Sequence, residues 1–358
     1  MRIVLVNTYK IWGGGEKWHY EAALFFALKG HDVTVLTSPD SLLSRKLENT
    51  KIKLLYFNFS KFSYYSPLKL LSLYLAFRKN RFDIMVLNSV VDVRNIAIIA
   101  KISGISKVIY RSGMPLPLKP KRSYKMAFNF GVDEIVAISR EVMTVMETTP
   151  DFVYRCKKRV IYNGIKKSVL DKNSAYQKEI TAPIVIGDLA RLSKQKGYIY
   201  LLKAIVELKK MINIPFKVLI AGAGEQEEEL KAFVKKQKLN EIEFLGHVEN
   251  INSFFRQIDI FLFSSLFEGS THAILEAFSY KKPVICFDTS SMPEMVVDGY
   301  NGLLVTPFDV SEMATKMLRL IENEDLIRTL GENAYHTLGS RFLYEKNMEE
   351  WSQVIQVG

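Results

Sequence analysis

Short runs of Val, Ile, Leu and Phe alternate along this chain with longer stretches whose apolar residues recur every three or four positions. The runs at residues 2–7, 32–37, 52–57, 83–87, 107–111, 134–138 and 159–162 read as strands, being brief, apolar and bounded by polar or glycine-containing segments. Helical stretches fall at 16–29, 68–78 and 94–103. Strands spaced by helices predict a parallel sheet covered on both faces. A polar, poorly periodic stretch at 166–181, ending before Pro183, reads as a linker. A second series follows, with strands at 184–189, 216–221, 243–245, 258–265 and 282–288 and helices at 198–211 and 225–236. A last helical stretch lies beyond Arg341 and holds Glu349, Glu350 and Trp351. The expected organisation is a first domain over 1–165, the linker 166–181, a second domain over 182–340 and a terminal helix at 341–358. The fold class is α/β: two doubly wound, parallel-sheet (Rossmann-like) domains, with ligands expected in a central cleft near the carboxyl ends of the strands.

Composition narrows the picture without changing it. The 358 residues are 48% hydrophobic and 24% charged, an ordinary globular balance on a length natural for two domains. Two cysteines, Cys156 and Cys286, cannot build a disulfide framework and fit a reducing cytoplasm. The chain enters its first strand at once, with no secretory pattern expected, and no apolar run approaches the roughly 20 residues of a spanning helix. The net charge of +11 is left to nucleic acid, anionic lipid or a polyanionic substrate to explain.

The chemistry concentrates in Phe267-Glu268-Gly269-Ser270-Thr271-His272-Ala273-Ile274-Leu275-Glu276-Ala277. A strand precedes it, an apolar helix carries its second half, and a further strand follows. The turn therefore lies at a helix N-terminus, where free amides at Thr271, His272 and Ala273 and the helix dipole favour an anion, most often phosphate. Glu276 sits among apolar helical neighbours, where a carboxylate needs a partner: a backbone amide, an arginine or a pair of ligand hydroxyls. Arg191 and Lys196 follow the strand at 184–189 and would suit a diphosphate, unless they are two solvated loop cations. Gly13-Gly14-Gly15 after the first strand lets backbone approach a ligand closely, yet lacks the dinucleotide pattern. Gly222, in Ala221-Gly222-Ala223-Gly224, is either a tight strand-to-helix turn or a ligand contact. There is no Asp-x-Asp, and the five histidines show no paired ligand spacing, so neither a metal nor another cofactor is expected.

The spaced pair Glu268 and Glu276, continued by Pro283-Val284-Ile285, Pro293-Glu294 and Asp298-Gly299-Tyr300-Asn301-Gly302, resembles the retaining glycosyltransferases of family four, group 1, with the GT-B fold. Weaker echoes stand in the family's order at Gly13–Glu16, Ile161–Ile165, Ala190-Arg191-Leu192 with Lys196-Gly197, and Ala221–Gly224. The resemblance implies that Glu276 holds the ribose hydroxyls of a nucleotide-sugar, with UDP as the expected carrier, and that Glu268 holds the donor sugar. It implies that Arg191 and Lys196 neutralise the diphosphate, that Gly14 or Gly15 touches the sugar-phosphate or acceptor, and that the base lies near Val248. It also sends the terminal helix back to the first domain. Many relatives carry a histidine where this chain has Arg111, which is either salt-bridged or in contact with the donor or an acidic acceptor. The segments 61–81 and 119–130 interleave aromatics with cations; they are core-facing helices with a basic side, or a surface resting on anionic membrane to meet a lipid-linked glycan acceptor. Nucleic acid has no accompanying recognition motif. The expected activity is retaining, metal-independent sugar transfer by a cytoplasmic, peripheral enzyme. The alternatives are a nucleotide-sugar epimerase or hydrolase of the same fold, or a non-catalytic binder.

Overall fold

The computed structural model describes residues 1–58, 66–118, 121–148 and 155–356. The chain divides into two compact units, one of Met1–Tyr162 with Lys346–Gly358, the other of Asn163–Glu345.

In the first unit the strands are β1 (Arg2–Asn7), β2 (Asp32–Thr37), β3 (Lys53–Tyr56), β4 (Ile84–Leu87), β5 (Lys107–Ser112), β6 (Glu134–Ala137) and β7 (Lys157–Val160). They pair in parallel in the order β3-β2-β1-β4-β5-β6-β7. Its helices are α1 (Gly14–Leu28), α2 (Leu42–Leu47), α3 (Pro67–Asn80), α4 (Val90–Ile102), α5 (Arg122–Gly131) and α6 (Arg140–Glu147). All four residues of β4 are buried, as a central strand covered on both faces demands. Serines placed just before α4 and α6 fix those helix starts: Ser89 accepts from the Asp92 amide at 3.0 Å and Ser139 from the Val142 amide at 3.2 Å. The order reverses direction between β1 and β4, the switch point where such sheets bind ligands.

The second unit repeats the plan. After α7 (Lys167–Asn173) come β8 (Ile184–Leu189), α8 (Tyr198–Met211), β9 (Phe216–Ala221), α9 (Glu227–Gln237), β10 (Ile242–Gly246), α10 (Ile251–Gln257) and β11 (Ile260–Phe263). Then follow α11 (His272–Ser279), β12 (Val284–Phe287), α12 (Met292–Met295), β13 (Gly302–Val305), α13 (Val310–Ile321) and α14 (Glu324–Arg341). The sheet order is β10-β9-β8-β11-β12-β13, with its switch point between β8 and β11. Helix α15 (Tyr344–Ile355) begins in this unit and, from Lys346 on, belongs to the first, where Trp351 meets the Trp18 ring at 4.7 Å between centroids.

The stretch 166–181, expected as a linker, departs from that reading. Residues 167–173 form a helix that buries Leu170 and Asn173, and the Leu170 carbonyl accepts from the Tyr335 hydroxyl at 3.1 Å. Lys167, Asp171 and Lys172 dilute its apolar signal, and an i,i+4 pair between Lys167 and Asp171 at 2.7 Å supports the turn instead. The second unit also runs to Glu345 rather than residue 340. Of the basic-aromatic segments, residues 61–65 and 119–120 lie outside the described residues. The described parts are largely α3 and α5; α3 buries Leu73 and Phe77 while Leu68, Leu71 and Leu75 stay exposed. Among the described residues, no helix is long and apolar enough to cross a membrane.

Candidate functional site

At the carboxyl edge of the second sheet, successive loops are laced together by backbone hydrogen bonds that continue beyond the strands. The Leu192 amide donates to the Ala223 carbonyl at 3.1 Å, and the Gly222 amide to the Gly246 carbonyl at 2.7 Å. On the other side of β8, the Leu266 amide donates to the Gln195 carbonyl at 2.8 Å, and the Ser264 hydroxyl to the Lys196 carbonyl at 2.9 Å. Gly197 is obligatory here: its φ is +66°, and a Cβ would lie 2.2 Å from the Ser264 carbonyl oxygen.

This frame brings Lys196 and Glu268 together. Their ammonium and carboxylate form an ion pair on the partly buried floor of the switch point. Ser265 donates to the same carboxylate oxygen at 2.6 Å, and the Ser290 hydroxyl bridges the Glu268 amide (3.1 Å) and carbonyl (2.8 Å). Two residues to which the sequence assigned separate tasks are therefore one electrostatic unit. Arg191, on the same loop as Lys196, is exposed. Helix α11 starts beside Glu268. Thr271, its N-cap residue, makes no capping bond with its side chain, and its buried hydroxyl has no hydrogen-bond partner among the described residues. The first-turn amides at His272 and Ala273 have no intrahelical acceptor by the geometry of any helix start. Glu276, in the second turn, is half-buried rather than sunk in the core. Gly222 and the half-buried Val248 lie at the ends of β9 and β10, along the same edge.

Sequence reading missed Asp188 and Tyr198. Asp188, on β8, is buried, and burial raises its carboxyl to about 7 against the opposing effects of Tyr198 and Lys196. The Tyr198 hydroxyl lies 2.8 Å from Asp188 Oδ1 and 3.1 Å from the Ala190 carbonyl, and it has one proton to give. The hydroxyl donates to the ionised Asp188, and protonation of that carboxyl would free it to donate to the Ala190 carbonyl instead. Because the folded carboxyl titrates above its unfolded range, its favourable contribution is complete at low pH and is lost as pH rises through about 7. Asp188→Asn reproduces the protonated pattern. It is expected to raise the melting temperature at pH 8 and to lose this advantage by pH 5; a pH series of thermal melts checks it.

The first unit's switch point holds the other candidates. Gly14 and Gly15 are the first residues of α1, which starts two residues earlier than the periodicity suggested. A Cβ at Gly15 would come 2.8 Å from Asn88 Nδ2, so helix and β4 loop touch there; at Gly14 it would meet nothing within 4 Å. Arg111 is 2% exposed, donates to Asn88 Oδ1 at 3.3 Å and lies 4.6 Å from the Trp18 ring centroid. Burial lowers it to about 10, opposed by nearby Glu16. Glu16 accepts from Asn7 at 2.9 Å, and Asp92, raised by burial to about 6, accepts from Thr8 at 2.6 Å. Arg111 is thus set deep among Asn88 and Trp18 rather than on an open strand end.

Part of the family-like signature does structural work. Asn301 is fully buried; its carbonyl accepts from the Val297 amide at 2.7 Å, and its amide donates to the Met295 carbonyl at 3.0 Å and to Thr337 at 3.1 Å. Asp298 accepts from the Leu304 amide at 2.8 Å, and a Cβ on Gly302 would strike the Val284 carbonyl oxygen at 2.4 Å. These residues shape the turn into β13.

Two doubly wound units with these strand orders define a GT-B protein, and comparison with known proteins agrees. A family model for group 1 glycosyl transferases matches residues 171–337, and one for glycosyltransferase family 4 matches residues 12–168. The chain belongs to this family of glycosyltransferases. It is 31% identical over 216 residues to the uncharacterized glycosyltransferase MJ1178 of Methanocaldococcus jannaschii, covering 60% of this chain and 56% of that protein. It is 27% identical over 296 residues to the GalNAc-alpha-(1->4)-GalNAc-alpha-(1->3)-diNAcBac-PP-undecaprenol alpha-1,4-N-acetyl-D-galactosaminyltransferase of Campylobacter jejuni, covering 80% and 78%. The chain spans little more than half the length of the Methanocaldococcus relatives it matches, 56% and 58%. The crystal structure of Anabaena HepE in complex with UDP superposes with a TM-score of 0.82 over 99% of both chains at 20% identity, a likeness of fold.

Proposed function

We propose that the protein transfers a sugar from a nucleotide-sugar, with UDP as the carrier, to a hydroxyl of a lipid-linked glycan or polysaccharide precursor, retaining the anomeric configuration. The observation that carries this reading is the Lys196–Glu268 pair at the second unit's switch point, beside the open first turn of α11. Lys196 and Arg191, with the amides of His272 and Ala273, would face the diphosphate and stabilise the charge that grows on it as the sugar departs. Lys196 can exchange its partner from carboxylate to phosphate, freeing Glu268 for the hydroxyls of the donor sugar. Glu276 would hold the ribose hydroxyls. The acceptor proton passes to the leaving phosphate on the same face, so no flanking carboxylate pair is required. The supporting likenesses are HepE, whose structure contains UDP, and the Campylobacter enzyme, whose name specifies an undecaprenol-linked glycan. Exposed leucines on α3, with Met126 and Phe130 on α5, would suit an anionic membrane surface at which such a glycan is presented.

Glu276→Gln is expected to weaken UDP binding ten-fold or more by titration calorimetry, since charged hydrogen bonds are worth about 1.5–3 kcal/mol each. Unchanged affinity would remove the ribose assignment. Because cations and helix amides carry the diphosphate, transfer should persist in EDTA; loss on chelation with rescue by magnesium would sink the metal-free account. Release of free sugar or of an epimerised nucleotide-sugar in the presence of acceptors would favour the hydrolase or epimerase reading.

A further inference from the structure

At the opposite end of the second sheet, where β8, β11 and β12 begin, a pocket of about 260 Å3 lies beneath the segment joining α7 to β8. Its floor is Asp259, buried, which accepts from the Val185 amide at 2.9 Å and pairs with Lys178 at 2.5 Å. On the rim, Lys281 pairs with Glu332 at 2.9 Å, and Arg328 with Glu324 at 2.5 Å. Each of these cations has its counter-ion. Lys282 does not.

Lys282 is 4% exposed and lines the pocket, yet its ammonium makes no hydrogen bond among the described residues; it lies over the Tyr176 ring, 5.1 Å from the centroid. Asp259, whose carboxylate favours its charge, is already engaged by Lys178, whose own charge opposes it. Burial is the larger influence and lowers Lys282 to about 7. Its Nζ is open to the pocket rather than sealed in the core, so the acceptor that the protein does not supply comes from what fills the pocket, water or a ligand. The rest of the lining has a different character. Tyr176 and Tyr280 meet edge to face at 5.6 Å, with Ile180 and Ile327 beside them. The Arg256 guanidinium lies 4.8 Å from the Tyr176 ring centroid and 5.9 Å from that of Tyr280. The anion therefore meets a pocket with apolar walls, covered aromatic rings and, in Lys282, an ammonium with no protein acceptor, which makes a site for a ring that bears an anion.

We infer that this pocket is a second small-molecule site, taking a phosphate or carboxylate carried on a flat ring, with Lys282 as the group that recognises the anion. It lies at the amino ends of the strands, away from the carboxyl-edge loops assigned to the donor, so its occupation and donor binding are separable.

Titration calorimetry of the full chain with phenyl phosphate, benzoate and inorganic phosphate tests this. Saturable binding of phenyl phosphate or benzoate is expected; which of the two binds more tightly identifies the anion. Lys282→Met keeps the stem and removes the charge, so it should fold at least as well as the parent while weakening that binding ten-fold or more. Tyr176→Leu should weaken the aromatic probes and spare UDP. Failure of all three probes to bind the parent protein, or equal binding by Lys282→Met, would overturn the proposal. Inorganic phosphate binding as tightly as phenyl phosphate would overturn the ring. UDP titrated into Lys282→Met should behave as in the parent, so a failure here is distinguishable from a failure of the proposed transfer function.

Discussion

Lys196→Ala is expected to lower the turnover of sugar transfer about a hundred-fold or more, with a smaller change in donor affinity. In the proposed mechanism the charge it removes faces the oxygen on which negative charge develops, so its effect should be larger in the transition state than in the bound donor. The substitution does a second thing. It leaves Glu268, 7% exposed, with the Ser265 hydroxyl but without its cation. An abandoned, mostly buried carboxylate destabilises by about 2–3 kcal/mol after allowance for its partial solvation. The two effects separate in Lys196→Met combined with Glu268→Gln. The double variant should recover the parent melting temperature and none of the turnover. Turnover by Lys196→Ala within three-fold of the parent would show that the pair is a structural strut.

The second large effect is expected at Gly222. With φ at +140° and a Cβ that would stand 1.9 Å from the Ala190 carbonyl oxygen, alanine cannot be accommodated without moving the backbone. Ala190 opens the loop that carries Arg191 and Lys196, and its carbonyl is also the acceptor of Tyr198. Gly222→Ala should therefore cost about 3 kcal/mol in chemical denaturation and abolish measurable UDP binding. Gly14→Ala, whose Cβ meets nothing within 4 Å, should leave stability almost unchanged. Equal behaviour of the two variants would count against the close approach of the β8 and β9 loops.

The contrast between those glycines marks what can be read from a linear chain. Gly14 and Gly222 look alike in sequence, each in a glycine-containing stretch between an apolar strand and the next helix, and the neighbours that distinguish them lie far away along the chain. Glu268, Glu276, Arg191 and Lys196 were legible because a strand, a turn and a helix start sit in consecutive residues, so local order alone places them at a sheet's carboxyl edge. Their pairing was not legible, since Lys196 and Glu268 are joined through loops from strands that are neighbours only in the folded sheet. Asp188 escaped for a related reason. Amid the apolar residues of β8 it looks like any polar interruption, and only Tyr198 bending back from the next helix gives it a role. Central strands such as β4 announced themselves by apolar content. Helices α7 and α10 did not, because at seven residues each they are too short to establish a period.

The fastening of Asn301 to Met295, Val297 and Thr337 has a consequence for inheritance. Asn301 is held in place by the needs of a turn, while Lys196 and Glu268 answer to the proposed sugar transfer, so on that proposal the two kinds of residue can part company as lineages diverge. A descendant that had abandoned sugar transfer for a purely scaffolding task would still require the asparagine in order to fold. It would go on displaying half of the family's signature long after its chemistry had gone. On the proposed mechanism, telling a working enzyme from a retired one would therefore rest on the lysine and the glutamate, which a retired protein would be free to lose.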